Sequence, residues 1–201
     1  MIKKTIFTIV VGLLLSFEVS AQNIQYKVLW RGDSVGYIDA KKLDSLDFKV
    51  FTIKSKVGFW FFGKKIIESR YVSVYADGQL MESSTTHRRD GKLKEKTNVR
   101  WVDNQYEVVV NEKLKEPISY PITQSIAQIY FDKPSPDPLF SERYGTFLPL
   151  NFTDDFSFQI EKPDGRNNTY TFGNEYCNLV EVDNLWAKLY FVRLNDTSTD
   201  F

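Results

Sequence analysis

The sequence predicts a mainly β chain: an antiparallel, up-and-down β-barrel, open or nearly closed, wrapped on one short helix. Three observations predict it. Strand-like runs follow one another along nearly the whole chain, with apolar and polar residues alternating. Asp77-Gly78, Asp90-Gly91 and Asp103-Asn104 mark three hairpin turns between runs of about ten residues, since these residue types tolerate the positive φ that tight hairpins need. A single stretch, Tyr120 to Pro134, carries a helical spacing.

In chain order, Ile24, Tyr26, Val28 and Trp30 alternate with polar residues as a half-buried strand, and Gly32-Asp33-Ser34 turns it into a second from Val35 to Lys41. Phe48 to Phe62 is a long strand ending in four aromatics, Phe59-Trp60-Phe61-Phe62. Four apolar residues in a row cannot all point inward from a strand, so they suggest a rim that serves as a greasy entrance or partner contact. Ile66–Ala76, Gln79–Arg89, Lys92–Val102 and Tyr106–Val110 continue the meander. Strands this long exceed the usual mode of about six residues and tend to curl as they twist.

In the central stretch, Pro121 suits a first helical turn, and Ile122, Ile126, Ile129 and Tyr130 share one helical face. Pro134 stops the helix near Phe131 or Asp132. Some three turns are too few to stand alone in water, so the apolar stripe must lie on the sheet. Pro134, Pro136 and Pro138 make a stiff surface link. Phe156 to Ile160, Asn168 to Phe172, Asn178 to Val182 and Trp186 to Arg193 then complete the sheet, with Pro163-Asp164-Gly165 and Asp183-Asn184 as turns.

The first residues have the pattern of a secretory signal peptide. Lys3 and Lys4 precede an apolar run from Thr5 to Phe17, and Val19-Ser20-Ala21 supplies small residues at a cleavage site. The expected organisation is a signal peptide at 1–21, one barrel-like domain at 22–194 and a flexible tail at 195–201. The product would be a soluble exported protein of the periplasm or extracellular space with no span after cleavage. Lys and Arg number 26 and Asp and Glu number 26, a balance that points neither to nucleic acid nor to an anionic membrane. Cys177 is the single cysteine, so no internal disulfide can form, and its apolar neighbours predict a buried thiol.

Tyr26 to Gly36, the long meander, Ile129-Tyr130-Phe131 ahead of a proline, Ser141-Glu142-Arg143-Tyr144-Gly145 and the Pro163-Asp164-Gly165 hairpin together resemble an uncharacterised family of secreted bacterial proteins, catalogued as a domain of unknown function. The resemblance covers about residues 24 to 194. In outline the chain is also similar to periplasmic open β-barrels of the outer-membrane lipoprotein carrier type. That likeness is architectural, and no binding residue follows from it.

Reactive residue types are sparse. One histidine and one cysteine cannot assemble the usual zinc or copper ligand sets, so no metal and no cofactor is expected. His87, beside Arg88 and Arg89, reads as a solvated strand end. No Gly-x-Ser-x-Gly elbow supports a serine hydrolase. Asp154-Asp155 reads as a loop, and a glycosidase pair would need carboxylates from separate strands. Arg143 has the planar fork to clamp an anion, though an ion pair within the sheet is the simpler expectation. Trp30, Tyr71, Tyr75, Trp101, Phe158 and Trp186 fall on faces that can line a concave interior, either filled or hollow. With Phe59, Trp60, Phe62 and Arg143 they are the candidate ligand-binding set. The leading expectation is a non-enzymatic carrier for an apolar, lipid-like ligand in the cell envelope. A structural or interaction protein of the envelope and a carboxylate-dependent hydrolase are the alternatives.

Overall fold

The computed structural model describes residues 20–60, 64–183 and 188–194. Residues 1–19 of the expected 1–21 signal peptide, Phe61 and Phe62, Trp186 and the 195–201 tail lie outside the described residues. β1 (Ser20–Trp30), β2 (Asp33–Asp44), β3 (Lys49–Trp60), β4 (Lys64–Ala76), β5 (Gln79–Arg89), β6 (Lys92–Val102), β7 (Gln105–Val110) and β8 (Lys113–Leu114) form a continuous antiparallel meander. Its tight turns are those the Asx residues demand. Asp77 and Gly78, Asp90 and Gly91, and Asp103 and Asn104 all hold positive φ, as do Arg31 and Gly32 and an unanticipated pair, Asn111 and Glu112.

The chain returns as β9 (Leu139–Ser141), β10 (Thr146–Leu148), β11 (Leu150–Phe152), β12 (Ser157–Glu161), β13 (Asn167–Phe172), β14 (Cys177–Asp183) and β15 (Lys188–Arg193). β15 pairs with β1, so the last strand joins the first and a 13-stranded sheet runs in the order β11-β12-β13-β14-β15-β1-β2-β3-β4-β5-β6-β7-β8. β11 and β8 are its edges; they do not pair with each other, and the barrel is not closed. β9 and β10 form a separate hairpin. The antiparallel order sends the turns at 31–32, 90–91, 111–112 and 162–166 to one end, the upper rim. Those at 45–48, 77–78, 103–104, 153–156 and 173–176 lie at the other, the lower rim.

The predicted helix is corrected. Within 120–134 only Gln128–Tyr130 coils, as one 3-10 turn. The segment's backbone groups are bonded to other parts of the chain. The Leu80 N–H donates to Ile122 O (2.8 Å), the Ile126 N–H to Phe140 O (3.0 Å), and the Phe140 N–H to Gln124 O (3.2 Å). Each such bond removes a group that helical pairing would need. The Ile and Thr residues there also have weak helix propensity, so nothing local resists the sheet. The packing role survives: Ile122, Ala127, Ile129, Tyr130 and Phe131 are buried against the concave face. Tyr130 meets Tyr26 edge-on at 5.4 Å, and Phe131 meets Phe51 at 5.7 Å.

Tyr106 clasps this crossing segment. Its buried hydroxyl donates to Leu80 O (2.7 Å) and accepts from the Ile122 N–H (3.1 Å). Tyr106→Phe orphans both backbone groups, and each unpaired buried group carries a desolvation cost. The expected loss is about 1–3 kcal/mol in urea-monitored unfolding; an unchanged midpoint would show the clasp to be dispensable. The β9–β10 hairpin fills the space beside it. Gly145, at φ +62°, lets its turn pass against β7, where an added Cβ would stand 2.5 Å from Val108 Cγ1.

Candidate functional site

The crossing segment and the β9–β10 hairpin occupy part of the interior and leave a cavity of about 250 Å³. Its wall alternates with the outer face along each strand, as β geometry requires. Ile38, Ile53, Val57, Ile160, Val182 and Phe191 supply the apolar side. Ser55, Ser69, Tyr71, Asn168 and Tyr170 add polar groups, and Arg143, Lys162, Asp164 and Arg166 bring charge. Asp164 is exposed and Lys162 and Arg166 are partly so. These three flank the 162–166 turn, which places the charged mouth at the upper rim.

The charges are mutually held. Arg143 Nε and Nη2 grip Glu95 Oε2 and Oε1 at 2.7 and 2.9 Å, the ion pair its planar fork favours. Burial opposes the Arg143 charge, but the Glu95 bond overrides it and holds the guanidinium above its ordinary value. Arg166 donates to Asp164, and that bond holds the Asp164 carboxyl down at about 2. Lys162 donates to the Asp183 carbonyl, and partial burial lowers its ammonium. Burial pushes the Tyr71 hydroxyl up to about 12.

His87 corrects the expectation of a solvated strand end. It is half-buried on the inner face, and its Nδ1 lies 2.8 Å from Ser69 Oγ on β4. Burial lowers its ring, with the Arg143 charge adding to the effect. Register places Glu95 directly opposite on β6. A serine hydroxyl on an imidazole nitrogen can exchange a proton, yet both oxygens of the carboxylate across from it are committed to Arg143. Among the described residues, Asp164 is the one carboxylate lining the cavity, so the facing pair that a carboxylate-dependent hydrolase needs does not line it. No group of three potential metal ligands occurs among the described residues.

Of the candidate residues, the cavity gathers Tyr71 and Arg143. Tyr75 is buried beside it, donating to Ser125 Oγ at 2.7 Å, and Phe158 is wholly buried in a stack with Tyr170 at 5.1 Å. Both are filled core. Trp101 packs on Tyr106 at 4.6 Å, towards the lower rim. Trp30 and Phe59 meet edge-on at 5.7 Å under the upper rim, while Trp60 is 78% exposed. Phe62 and Trp186 lie outside the described residues. Lys162, Arg166, Asn168 and Tyr170 were not anticipated. Their signal was the charge flanking Pro163-Asp164-Gly165, which reads first as a turn. Cys177 is buried, with its thiol pushed up to about 12 by that burial.

A 13-stranded open sheet bent round a partly hollow interior defines a β-barrel-like domain. The chain belongs to the domain of unknown function family DUF6134, whose model matches residues 26–194. The fold is similar to the crystal structure of a beta-barrel-like protein of domain of unknown function DUF1849 from Brucella abortus. The TM-score is 0.53 at 10% sequence identity, over 86% of this chain and 95% of that one. No curated protein matches the sequence. No helix among the described residues is long and apolar enough to cross a membrane.

Proposed function

We propose that this is an exported, non-enzymatic binding or carrier protein of the cell envelope, whose cavity takes a single-chain amphiphile. The observation that carries this reading is the division of the cavity into an apolar wall and a charged mouth at one rim. Ile38, Ile53, Val57, Ile160 and Val182 suit an apolar chain, and Lys162 and Arg166 suit an anionic head. Ligand pockets for drug-sized molecules run from about 300 to 1,000 Å³. At about 250 Å³ the space fits one short chain better than a two-chain lipid. Binding without turnover is favoured by Glu95, whose oxygens are held by Arg143 and so do not orient His87.

Organic extraction of purified protein followed by mass spectrometry should release a single-chain anionic amphiphile, and a fluorescent fatty acid should bind competitively. Val182→Trp fills the cavity and should weaken that binding at least about tenfold, with an overpacking cost of about 1–3 kcal/mol checked separately by unfolding. Lys162→Glu should weaken a fatty acid more than a neutral monoacylglycerol. No extracted amphiphile together with no fatty-acid binding would overturn the reading.

A further inference from the structure

The near-neutral total charge conceals a sorting that only the strand order reveals. Arg31, Lys65, Arg88, Arg89, Lys92 and Lys188 stand at strand ends on the upper rim. Asp44, Asp47, Asp77, Asp103, Asp154 and Glu175 stand on the lower. Lys113, Lys162 and Arg166 add to the upper cations, against Asp33, Asp90, Glu112, Glu161, Asp164 and Asp183, while Lys49, Lys133 and Arg193 lie among the lower acids; in each place the opposite charges are the minority among the described residues. Of the upper-rim cations, Lys65 is 3.5 Å from Asp90, Lys188 pairs with Glu181, and Arg88 donates to the Gly91 carbonyl. The same rim carries Trp60, 78% exposed, and Trp30 with the Arg31 guanidinium 5.0 Å from its ring centroid.

We propose that the upper rim is a docking face for an anionic lipid bilayer. A barrel whose ends carry opposite charge is turned by the field of a negative surface, basic end first, even though its net charge is close to zero. Lysines and arginines near such a surface are each attracted to it within a Debye length. Tryptophan is the side chain best suited to the headgroup level, with an apolar body and a polar edge. Docked this way, the barrel presents the mouth formed by Lys162, Asp164 and Arg166 to the lipid and turns the acidic rim away. Docking stands on the rim charges and does not require the cavity to be loaded, so it can hold or fail apart from the amphiphile reading.

The test is co-sedimentation of purified protein with phosphatidylcholine vesicles and with vesicles carrying about 30% phosphatidylglycerol. Binding should be at least about tenfold tighter to the anionic vesicles and should be lost near 0.5 M salt. Combined Arg31→Glu, Arg89→Glu and Lys92→Glu, all at exposed positions, should weaken it about tenfold or more with the unfolding midpoint kept. Trp60→Ser should weaken binding while leaving its salt dependence in place, and Asp103→Asn on the far rim should change nothing. Equal binding to both vesicle types, salt-insensitive binding by the wild-type protein, or a triple variant that binds like wild type would overturn the proposal. So would retention on a soluble polyanion such as heparin with no binding to anionic vesicles, which would point to a polymer instead.

Discussion

Phe140→Ala is expected to destabilise the protein by about 3–5 kcal/mol, the range for emptying a buried aromatic site. Phe140 is wholly buried. It packs edge-on to Phe147 at 5.4 Å, and Phe147 stacks at 5.4 Å on Tyr120 at the start of the crossing segment. Its own backbone accepts from Ile126 and donates to Gln124, so one residue ties the β9–β10 hairpin to that segment. Ser125 and Phe140 form an isolated parallel bridge, too short to hold without the ring beneath it. Truncation therefore removes packing where the backbone pairing is weakest. Phe156→Ala, at a 57% exposed position, should cost within about 0.5 kcal/mol in the same denaturant series. A loss below about 1 kcal/mol at Phe140 would show that the interior plug does not stabilise the barrel.

The outer frame was legible in the sequence because hairpin chemistry is local. Gln79–Arg89 and Lys92–Val102 stand where alternation and the Asp-Gly pairs place them, since a positive-φ turn with a two-residue side-chain period leaves little freedom. The interior was not legible, because what decides it is non-local. Ile122, Ile126, Ile129 and Tyr130 have helical spacing, yet their segment bonds to Leu80, Tyr106 and Phe140, which sequence distance hides. Phe158 and Tyr75 read correctly as inward-facing, but whether an inward ring lines a cavity or fills a core depends on what lies opposite. Tyr170 lies opposite Phe158, and Ser125 lies opposite Tyr75. His87 and Glu95 became neighbours only through register, and Arg143 reached them from a different part of the chain. Charge sorting by rim was invisible for the same reason: a total says nothing of where strand order sends each turn.

Glu142→Gln should leave the protein as stable as wild type near pH 4, below the ordinary carboxyl value, and more stable near pH 8, with the gap widening as pH rises between them. Glu142 is wholly buried. Its Oε1 accepts from Ser125 Oγ (2.6 Å), Ser73 Oγ (3.0 Å) and the Ala127 N–H (3.1 Å), while Oε2 has no partner. Burial raises the carboxyl above its ordinary value of 4.5, against the pull of Ser125, its own backbone N–H, Ala127 and Ser73. A folded-state value above the unfolded one means that the folded protein holds the carboxyl proton more tightly. The resulting stability is fully present below the unfolded value and is lost as pH rises through the folded one. Glutamine keeps the carbonyl acceptor and never ionises, so it escapes that loss. Glu142→Ala removes the acceptor instead and strands three donors, at a cost of about 3 kcal/mol or more at either pH. Denaturant titrations of the three proteins at both pH values separate the effects. A wild-type curve that gains stability with pH relative to Glu142→Gln would mean that the carboxylate is the form the core is built to hold.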